Sequence, residues 1–296
     1  MRNKHLIGTG VAIVTPFDEK GHVDTKALQN LVKHLHKGKV EYIVVLGTTG
    51  ESVTLSKEEK KLVIDTVVKA NANKLPLVLG IGGNNTAEVV ESIKHTDLRA
   101  FEAILSVAPY YNKPNQEGYY QHYKAVSAAT KKDIILYNVP GRTGSNVTWE
   151  TQVRIAKDFK NIVATKEASG SVEQIMKVIK NKPKDFMVIS GDDNLTLPLI
   201  AAGALGVISV VANAYPREYS DMVRLSLKQH FDKAQSLHYD LVDITDQLFA
   251  DGNPGGIKYA LHLLGICKQY VRLPLCEPND KVKETLKQLI KKQKHV

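Results

Sequence analysis

The sequence contains few cysteines, which limits the kinds of fold and site that it can form. Cys267 and Cys276 are the two cysteines among 296 residues, and their spacing matches no metal-binding or redox motif. A disulfide-stabilised secreted domain and a cysteine-ligated zinc site are therefore not expected. We predict two reduced thiols in a cytoplasmic protein.

Long apolar segments are also missing. No run reaches the roughly 18–20 apolar residues that a membrane-spanning helix needs. Residues 1–8 are polar, and no apolar signal-peptide segment follows them. The sequence therefore predicts a protein without a membrane partner.

Acidic residues are outnumbered by basic ones, 31 against 40, so the formal net charge is +9. A basic surface is one way to bind nucleic acid. Most lysines, however, are spread singly along amphipathic segments, as at Lys57, Lys60 and Lys69, without an aromatic-flanked basic motif. We interpret the charge as a solvated basic surface and expect no nucleic-acid partner.

Short β-branched segments alternate with segments of helical periodicity along most of the chain. This pattern is typical of βα units and a parallel sheet. Eight strands are predicted: Gly10–Phe17, Tyr42–Gly47, Leu77–Ile81, Ala103–Ala108, Ile134–Asn138, Ile162–Lys166, Met187–Gly191 and Gly206–Val211. Capping signals predict helix starts at Ser56, Thr148 and Pro216.

Eight βα units close most simply into a (β/α)8 TIM barrel. The alternative, a doubly wound open sheet, usually has a glycine-rich nucleotide-binding turn after its first strand. Here that turn is Thr15-Pro16-Phe17-Asp18, which contains no glycine. We predict a (β/α)8 catalytic barrel over residues 1–230 and a C-terminal helical appendage over residues 231–296.

Lys166 is the most informative single residue. It follows the apolar segment 161–165, so it stands at the end of a buried strand, where TIM-barrel enzymes hold their catalytic groups. Apolar walls disfavour the ammonium form of a lysine, and a free amine can form a Schiff base with a carbonyl substrate. The alternative is a structural lysine paired with Glu167 or another acid. We predict the covalent nucleophile of an aldolase.

Hydroxyl and guanidinium groups follow the other strands. Thr48 and Thr49 lie in a turn whose hydroxyls and backbone N–H groups could hold a carboxylate, although an ordinary βα turn is the alternative. Tyr137 shares a sheet face with Ile135 and could move protons in the barrel mouth, or be a core tyrosine. Arg142 could clamp a second carboxylate, or form a surface ion pair.

Metal and phosphate chemistry are not expected at this rim. All ten histidines fall on predicted helices, turns or termini, whereas metal-dependent barrels need ligands at strand ends. The acidic pair Asp192-Asp193 is expected to cap the following helix. A glycine-rich phosphate cradle after the last two strands is missing. We predict no metal, no cofactor and a substrate without phosphate.

Six motifs at the predicted strand ends match those of a known family. They are Gly47-Thr-Thr-Gly-Glu-Ser52, Pro109-Tyr-Tyr-Asn112, Tyr137-Asn-Val-Pro-Gly-Arg-Thr-Gly144, Lys166-Glu-Ala168, Ser190-Gly-Asp-Asp193 and Gly206-Val-Ile-Ser209. Over nearly its whole length the chain resembles the dihydrodipicolinate synthase family, within the N-acetylneuraminate lyase superfamily. The resemblance implies condensation of pyruvate with L-aspartate 4-semialdehyde to 4-hydroxy-tetrahydrodipicolinate, the first committed step of diaminopimelate and lysine synthesis.

The resemblance also implies roles for the catalytic residues. Lys166 would form the imine with pyruvate, and Tyr137 would donate and accept protons above it. Thr48 and Tyr111 would link Tyr137 to solvent, with Tyr111 contributed by a neighbouring subunit. The resemblance therefore implies at least a homodimer and leaves a tetramer open.

The remaining implied roles concern substrate binding. Thr49 would hold the carboxylate of pyruvate, and Arg142 would bind that of the semialdehyde. Gly191 and Ile208 would contribute backbone near the lysine. Sialic-acid lyases lack an arginine at this point, so Arg142 favours the synthase. A different pyruvate-dependent sugar-acid lyase and a non-catalytic barrel that binds a keto acid stay open as alternatives.

Two segments depart from the family pattern. The segment Asn253–Lys258 has two glycines where bulkier residues are usual, for which we expect a looser helix start and no chemical consequence. Feedback-inhibited members bind lysine through the segments that match Ser52, Val53, Lys57, Lys60, Asn84, Glu88 and Tyr110. Lys57 and Lys60 replace the usual His or Glu and would repel the ammonium group of lysine. We predict weak or absent inhibition by lysine.

Overall fold

Eight parallel strands form a closed barrel in which each strand pairs with its neighbours in sequence and the last strand pairs with the first. The structure is a computed structural model that describes residues 4–293. The strands are β1 (Gly8–Ala12), β2 (Tyr42–Val45), β3 (Leu77–Gly80), β4 (Ala103–Val107), β5 (Asp133–Asn138), β6 (Ile162–Glu167), β7 (Met187–Ser190) and β8 (Gly206–Ser209). The predicted TIM barrel is confirmed.

The first strand differs from its prediction. The expected range Gly10–Phe17 is wrong at both ends, because β1 begins at Gly8 and ends at Ala12. Beyond this point the backbone N–H of Val14 donates to the side chain of Asn213, at 3.2 Å, instead of to a strand. Pro16 has no N–H to donate. The apolar run therefore leaves the sheet and lines the rim.

Helices surround the barrel and follow it at the C-terminal end. Within the described residues they are α1 (Thr25–Gly38), α2 (Lys57–Asn71), α3 (Thr86–His95), α4 (Gln116–Ala128), α5 (Pro140–Thr143), α6 (Trp149–Asp158), α7 (Val172–Asn181), α8 (Thr196–Ala201), α9 (Pro216–Leu227), α10 (Phe231–Phe249), α11 (Gly255–Leu263) and α12 (Asp280–Gln293). The three predicted helix starts are confirmed: Ser56 and Thr148 are N-cap residues, and Pro216 is the first residue of α9. None of these helices is long and apolar enough to cross a membrane.

Two apolar cores hold the strands in place. The larger core lies between the barrel and the helices, and it includes Leu241 and Ile244 of α10 and Ile257 of α11. The smaller core fills the barrel interior with residues such as Val44, Leu105, Ile135, Ala164, Met187 and Ile208. Side chains alternate between these two cores along a strand. The helices after the barrel thus share its outer core.

Candidate active site

A bulge in β6 directs Lys166 into the barrel. Ile134 of β5 pairs with Ile162, but the next residue of β5 pairs with Ala164, so Val163 is an extra residue. Val163 and Ala164 both belong to the inner core. A shift of one residue moves every later side chain to the opposite face. Without the bulge, Lys166 would face the helices.

Lys166 and Tyr137 are direct neighbours across β5 and β6. The Lys166 Nζ atom lies 4.3 Å from the centroid of the Tyr137 ring. Both side chains are buried, with 5% and 6% of their surface exposed. Tyr137 packs with Ile135 in the inner core, so the prediction that both share the inward face is confirmed. An amine and a phenol therefore stand together at one point of the barrel mouth.

Gly191 gives the Lys166 side chain its space. A Cβ atom added to Gly191 would lie 2.9 Å from Cε of Lys166 and 2.7 Å from Cβ of Ala168. Real side chains do not approach so closely, so any larger residue would displace the lysine. Ile208 belongs to the same inner core, on the neighbouring strand β8.

Glu167 lies on the opposite face of β6 and does not pair with Lys166. Its carboxylate accepts hydrogen bonds from the side-chain amides of Asn138 at 2.7 Å, Gln174 at 3.2 Å and Gln152 at 3.3 Å. Burial raises the pKa of Glu167, and these donors oppose the increase. In the part of the chain that the structure describes, Lys166 joins no ion pair. The contacts therefore do not support a structural lysine.

Thr48 and Thr49 form one turn of 3-10 helix with Gly50, directly after β2. Thr48 is exposed at the rim, whereas the side chain of Thr49 is buried. The Thr49 hydroxyl accepts a hydrogen bond of 3.0 Å from Nδ2 of Asn253. The turn therefore offers one accessible hydroxyl and one that is fixed by a distant residue.

Arg142 lies on the short helix α5 and is exposed. Its Nη2 atom donates to the backbone carbonyl of Asn253 at 3.5 Å. The alternative of a surface ion pair is not formed, because no acidic side chain within residues 4–293 pairs with it. The guanidinium is thus free to bind an anion near the rim.

Asn253 is a site residue that the sequence interpretation missed. Its side-chain nitrogen Nδ2 donates to the Thr49 hydroxyl, and its backbone carbonyl accepts from Arg142. The residue is 94% buried. Its Oδ1 atom accepts no hydrogen bond from the described residues. The expectation that the two glycines of this segment have no chemical consequence is not tested by these contacts and stays a prediction. The Asn-Pro pair before a helix was the available signal, but nothing local shows that it reaches the rim.

The helix that follows Asn253 is also tighter than expected. Gly255 and Gly256 are buried, and a Cβ atom at Gly256 would overlap the carbonyl group of Leu248. The expectation of a looser start for α11 is wrong, because Gly256 lets α10 approach α11 closely and Gly255 lies close to the carbonyl group of Cys276.

Tyr111 stands apart from the other site residues. Its side chain is 86% exposed, and its backbone has a left-handed φ of 72°. This conformation is uncommon for a residue with a bulky side chain. Within one chain the structure therefore directs Tyr111 into solvent.

Asp193 has a different role from the one expected. Its carboxylate accepts hydrogen bonds from Oγ of Ser209 at 2.5 Å and from the N–H of Val210 at 3.0 Å. Helix α8 begins at Thr196, and its N-cap residue, Leu195, has no capping side chain. The helix-cap prediction is wrong for Asp193, because neighbouring strand ends supply closer buried donors. Asp193 instead ties the loop after β7 to the loop after β8, and burial raises its pKa.

Comparison with known proteins identifies the family. The model of the Dihydrodipicolinate synthetase family matches residues 5–293. The 4-hydroxy-tetrahydrodipicolinate synthase of Flavobacterium psychrophilum is 56% identical over 281 residues, which cover 95% of this chain and 96% of that protein. The synthase of Parabacteroides distasonis is 50% identical over 293 residues, with coverage of 98% and 99%. The chain belongs to the dihydrodipicolinate synthetase family.

A solved structure agrees with this membership of the dihydrodipicolinate synthetase family. A monomeric dihydrodipicolinate synthase variant is 38% identical and superposes with a TM-score of 0.95, covering 99% of this chain and 98% of that one. The predicted family and fold are thereby confirmed. The chain is a lyase of lysine and diaminopimelate biosynthesis, as predicted.

Proposed function

We propose that this chain condenses pyruvate with L-aspartate 4-semialdehyde to 4-hydroxy-tetrahydrodipicolinate through a Schiff base on Lys166. The observation that carries the proposal is the inward-facing Lys166 amine, buried, without an ion-pair partner among residues 4–293, and 4.3 Å from the Tyr137 ring centroid. Relatives of 50–56% identity carry the name of this synthase.

The first half of the reaction forms a nucleophilic enamine. The Lys166 amine attacks the keto carbon of pyruvate, and the carbinolamine loses water to give an imine. The imine then loses a proton from the former methyl group, which gives the enamine. Tyr137 lies next to Lys166 and is the group that moves these protons. Thr48 and Tyr111 connect Tyr137 to solvent.

The second half forms a carbon–carbon bond and a ring. The enamine carbon attacks the aldehyde carbon, and the resulting oxygen anion takes a proton to become the 4-hydroxyl group. The amine of the semialdehyde then attacks the imine carbon and expels Lys166 as a free amine. The ring nitrogen keeps the double bond to that carbon, so one water is released overall.

Two carboxylates anchor the substrates. Thr49 holds the pyruvate carboxylate, and Arg142 binds the carboxylate of the semialdehyde with charge-assisted hydrogen bonds. Gly191 and Ile208 supply backbone and walls beside Lys166. No step requires a metal or another cofactor.

The active unit is at least a homodimer. Tyr111 is 86% exposed, which fits a residue that enters the site of a neighbouring subunit. We further propose that residues 1–230 are the catalytic barrel, that residues 231–296 are a helical appendage that contributes Asn253, and that the enzyme is cytoplasmic.

Borohydride trapping with pyruvate tests the covalent step. The expected result is a reduced pyruvyl adduct, located on Lys166 by peptide mass spectrometry, and none in Lys166→Ala. Lys177→Ala, which removes an exposed lysine paired with Glu173, is the matched control and should trap normally. A wild-type enzyme that traps no pyruvate would indicate a non-catalytic barrel.

The second substrate is tested with Arg142→Ala. Loss of the guanidinium should raise the KM for aspartate semialdehyde by about tenfold or more, because a charge-assisted bidentate contact is lost. Trapping of pyruvate should be unchanged. Unaltered condensation kinetics in this variant would point instead to a sugar-acid lyase.

A further inference from the structure

A buried ion pair joins the turn after β2, residues 48–51, to the helices that follow the barrel. We call this turn the rim turn. Nζ of Lys258, on α11, lies 2.5 Å from Oε1 of Glu51, and both side chains are almost fully buried. The Lys258 amine also donates to the carbonyl of Tyr270 at 2.9 Å, and it lies 4.0 Å from the ring centroid of Phe17. Burial lowers the pKa of Lys258, and the charge of Glu51 opposes this decrease.

Glu51 is held in a conformation that most residues avoid. Its φ is 52°, in the left-handed region, although it is not a glycine. Its second carboxylate oxygen accepts the backbone N–H of Arg272 at 2.9 Å. Such conformations persist only where the surroundings determine them. Here two groups from the C-terminal region, Lys258 and Arg272, hold the carboxylate.

The backbone of Glu51 completes the turn that contains the two threonines. Its N–H donates to the carbonyl of Thr48 at 3.0 Å and so closes the 3-10 turn. Asn253 lies five residues before Lys258 and bonds Thr49 at 3.0 Å. The segment from Asn253 to Lys258 therefore contacts this turn at both ends.

We propose that Lys258 is a positioning residue for pyruvate: through Glu51 it fixes the turn whose Thr49 holds the pyruvate carboxylate. This inference rests on the proposed function. Burial of two charges is not needed for a well-packed core, because apolar residues of similar volume stabilise such a site as well or better. The ion pair is therefore better explained by its effect on the backbone of the turn that binds the substrate than by its contribution to stability.

Two variants test the inference. Lys258→Met removes the amine but keeps the chain length, and the double variant Lys258→Met with Glu51→Gln leaves no unpaired buried charge. Both should raise the pyruvate concentration at half-saturation of borohydride trapping, and the KM for pyruvate, by about tenfold. The value of kcat at saturating pyruvate and the KM for aspartate semialdehyde should change by less than about threefold.

This split separates positioning from a purely structural role. A partly unfolded population would reduce the number of active sites, and therefore kcat, without changing half-saturation by pyruvate. Lys283→Met is the matched control, because it removes an ion pair with Glu277 in the same region that does not contact the turn. It should bind pyruvate normally.

The possible outcomes are distinct. If wild-type enzyme traps no pyruvate, the proposed function fails. If wild-type enzyme traps pyruvate and either folded Lys258 variant has the wild-type half-saturation, the positioning inference is overturned. If Lys258→Met does not fold, the double variant decides, because its buried groups are neutral. A matching increase of half-saturation in both variants supports the inference.

Discussion

At the residue scale, Asn253 connects Thr49 and Arg142, two proposed substrate-binding residues that are far apart in sequence. Its amide nitrogen bonds the Thr49 hydroxyl, and its carbonyl accepts from Arg142. Its Oδ1 atom is buried and accepts no hydrogen bond from residues 4–293. Because one residue orients both groups, its loss should affect both substrates.

We therefore expect Asn253→Ala to raise the KM for pyruvate and the KM for aspartate semialdehyde, each by about twofold to tenfold. This range corresponds to the net value of about one hydrogen bond per substrate. Steady-state kinetics with each substrate varied in turn is the measurement. Asn181→Ala, which changes a partly exposed residue at the end of α7, is the control. An effect on neither substrate would show that Asn253 only packs.

At the element scale, the end of β6 is fastened to α6 and α7 by a buried carboxylate. Glu167 accepts amide donors from Gln152 and Gln174, and from Asn138 of β5. This network lies directly behind Lys166 and Tyr137. It holds the two strand ends in the register that sets the amine beside the phenol.

The network should make stability depend on pH. Burial raises the folded-state pKa of Glu167 above its usual 4.5, so the folded state binds its proton more strongly than the unfolded state does. The free energy of unfolding therefore falls as pH rises from about 4.5 through the folded pKa. Glu167→Gln should weaken this decrease, measured by urea unfolding at several pH values. An identical pH profile in the variant would contradict the expectation.

The prediction of weak or absent inhibition by lysine depends on two residues near the start of α2. Lys57 is exposed and Lys60 is partly exposed, so both ammonium groups can act on a cation that approaches this surface. We expect activity to change little at millimolar lysine. The double variant Lys57→His with Lys60→His should become more sensitive, because two fixed positive charges are removed. Strong inhibition of the wild-type enzyme would refute this prediction.

At the scale of the whole molecule, we propose that a second chain completes the site. The Tyr111 side chain is exposed to solvent, whereas Lys166 and Tyr137 are buried in the barrel mouth. If Tyr111 belongs to the neighbouring site, two defective chains can restore one another.

Mixing tests this sharing. Lys166→Ala and Tyr111→Phe should each have low activity alone. A refolded or co-expressed mixture should form mixed dimers in which one site has both intact residues, so activity should recover to a substantial fraction of wild type. Sedimentation velocity establishes the state of association. Mixtures no more active than their components, although dimeric, would show that Tyr111 acts within its own chain or not at all.

Local patterns in the sequence were sufficient to predict the barrel and the place of Lys166 in it. Alternating β-branched and helical segments reflect local backbone preferences and the burial of each strand, so eight strands could be predicted within a few residues. The same logic placed Lys166 at a strand end. The predicted bounds of the first strand were wrong, because its apolar run continues into the rim. There, buried residues no longer pair with a neighbouring strand.

Which side chains come together could not be predicted, because that depends on how the strands and helices pack. The bulge at Val163, which turns Lys166 inward, depends on the register between two strands and not on the composition of either. Asn253 and Lys258 reach the rim turn across more than 200 residues of sequence. Contacts of this kind form when the barrel closes and the last helices pack on it. They cannot be predicted from local sequence pattern.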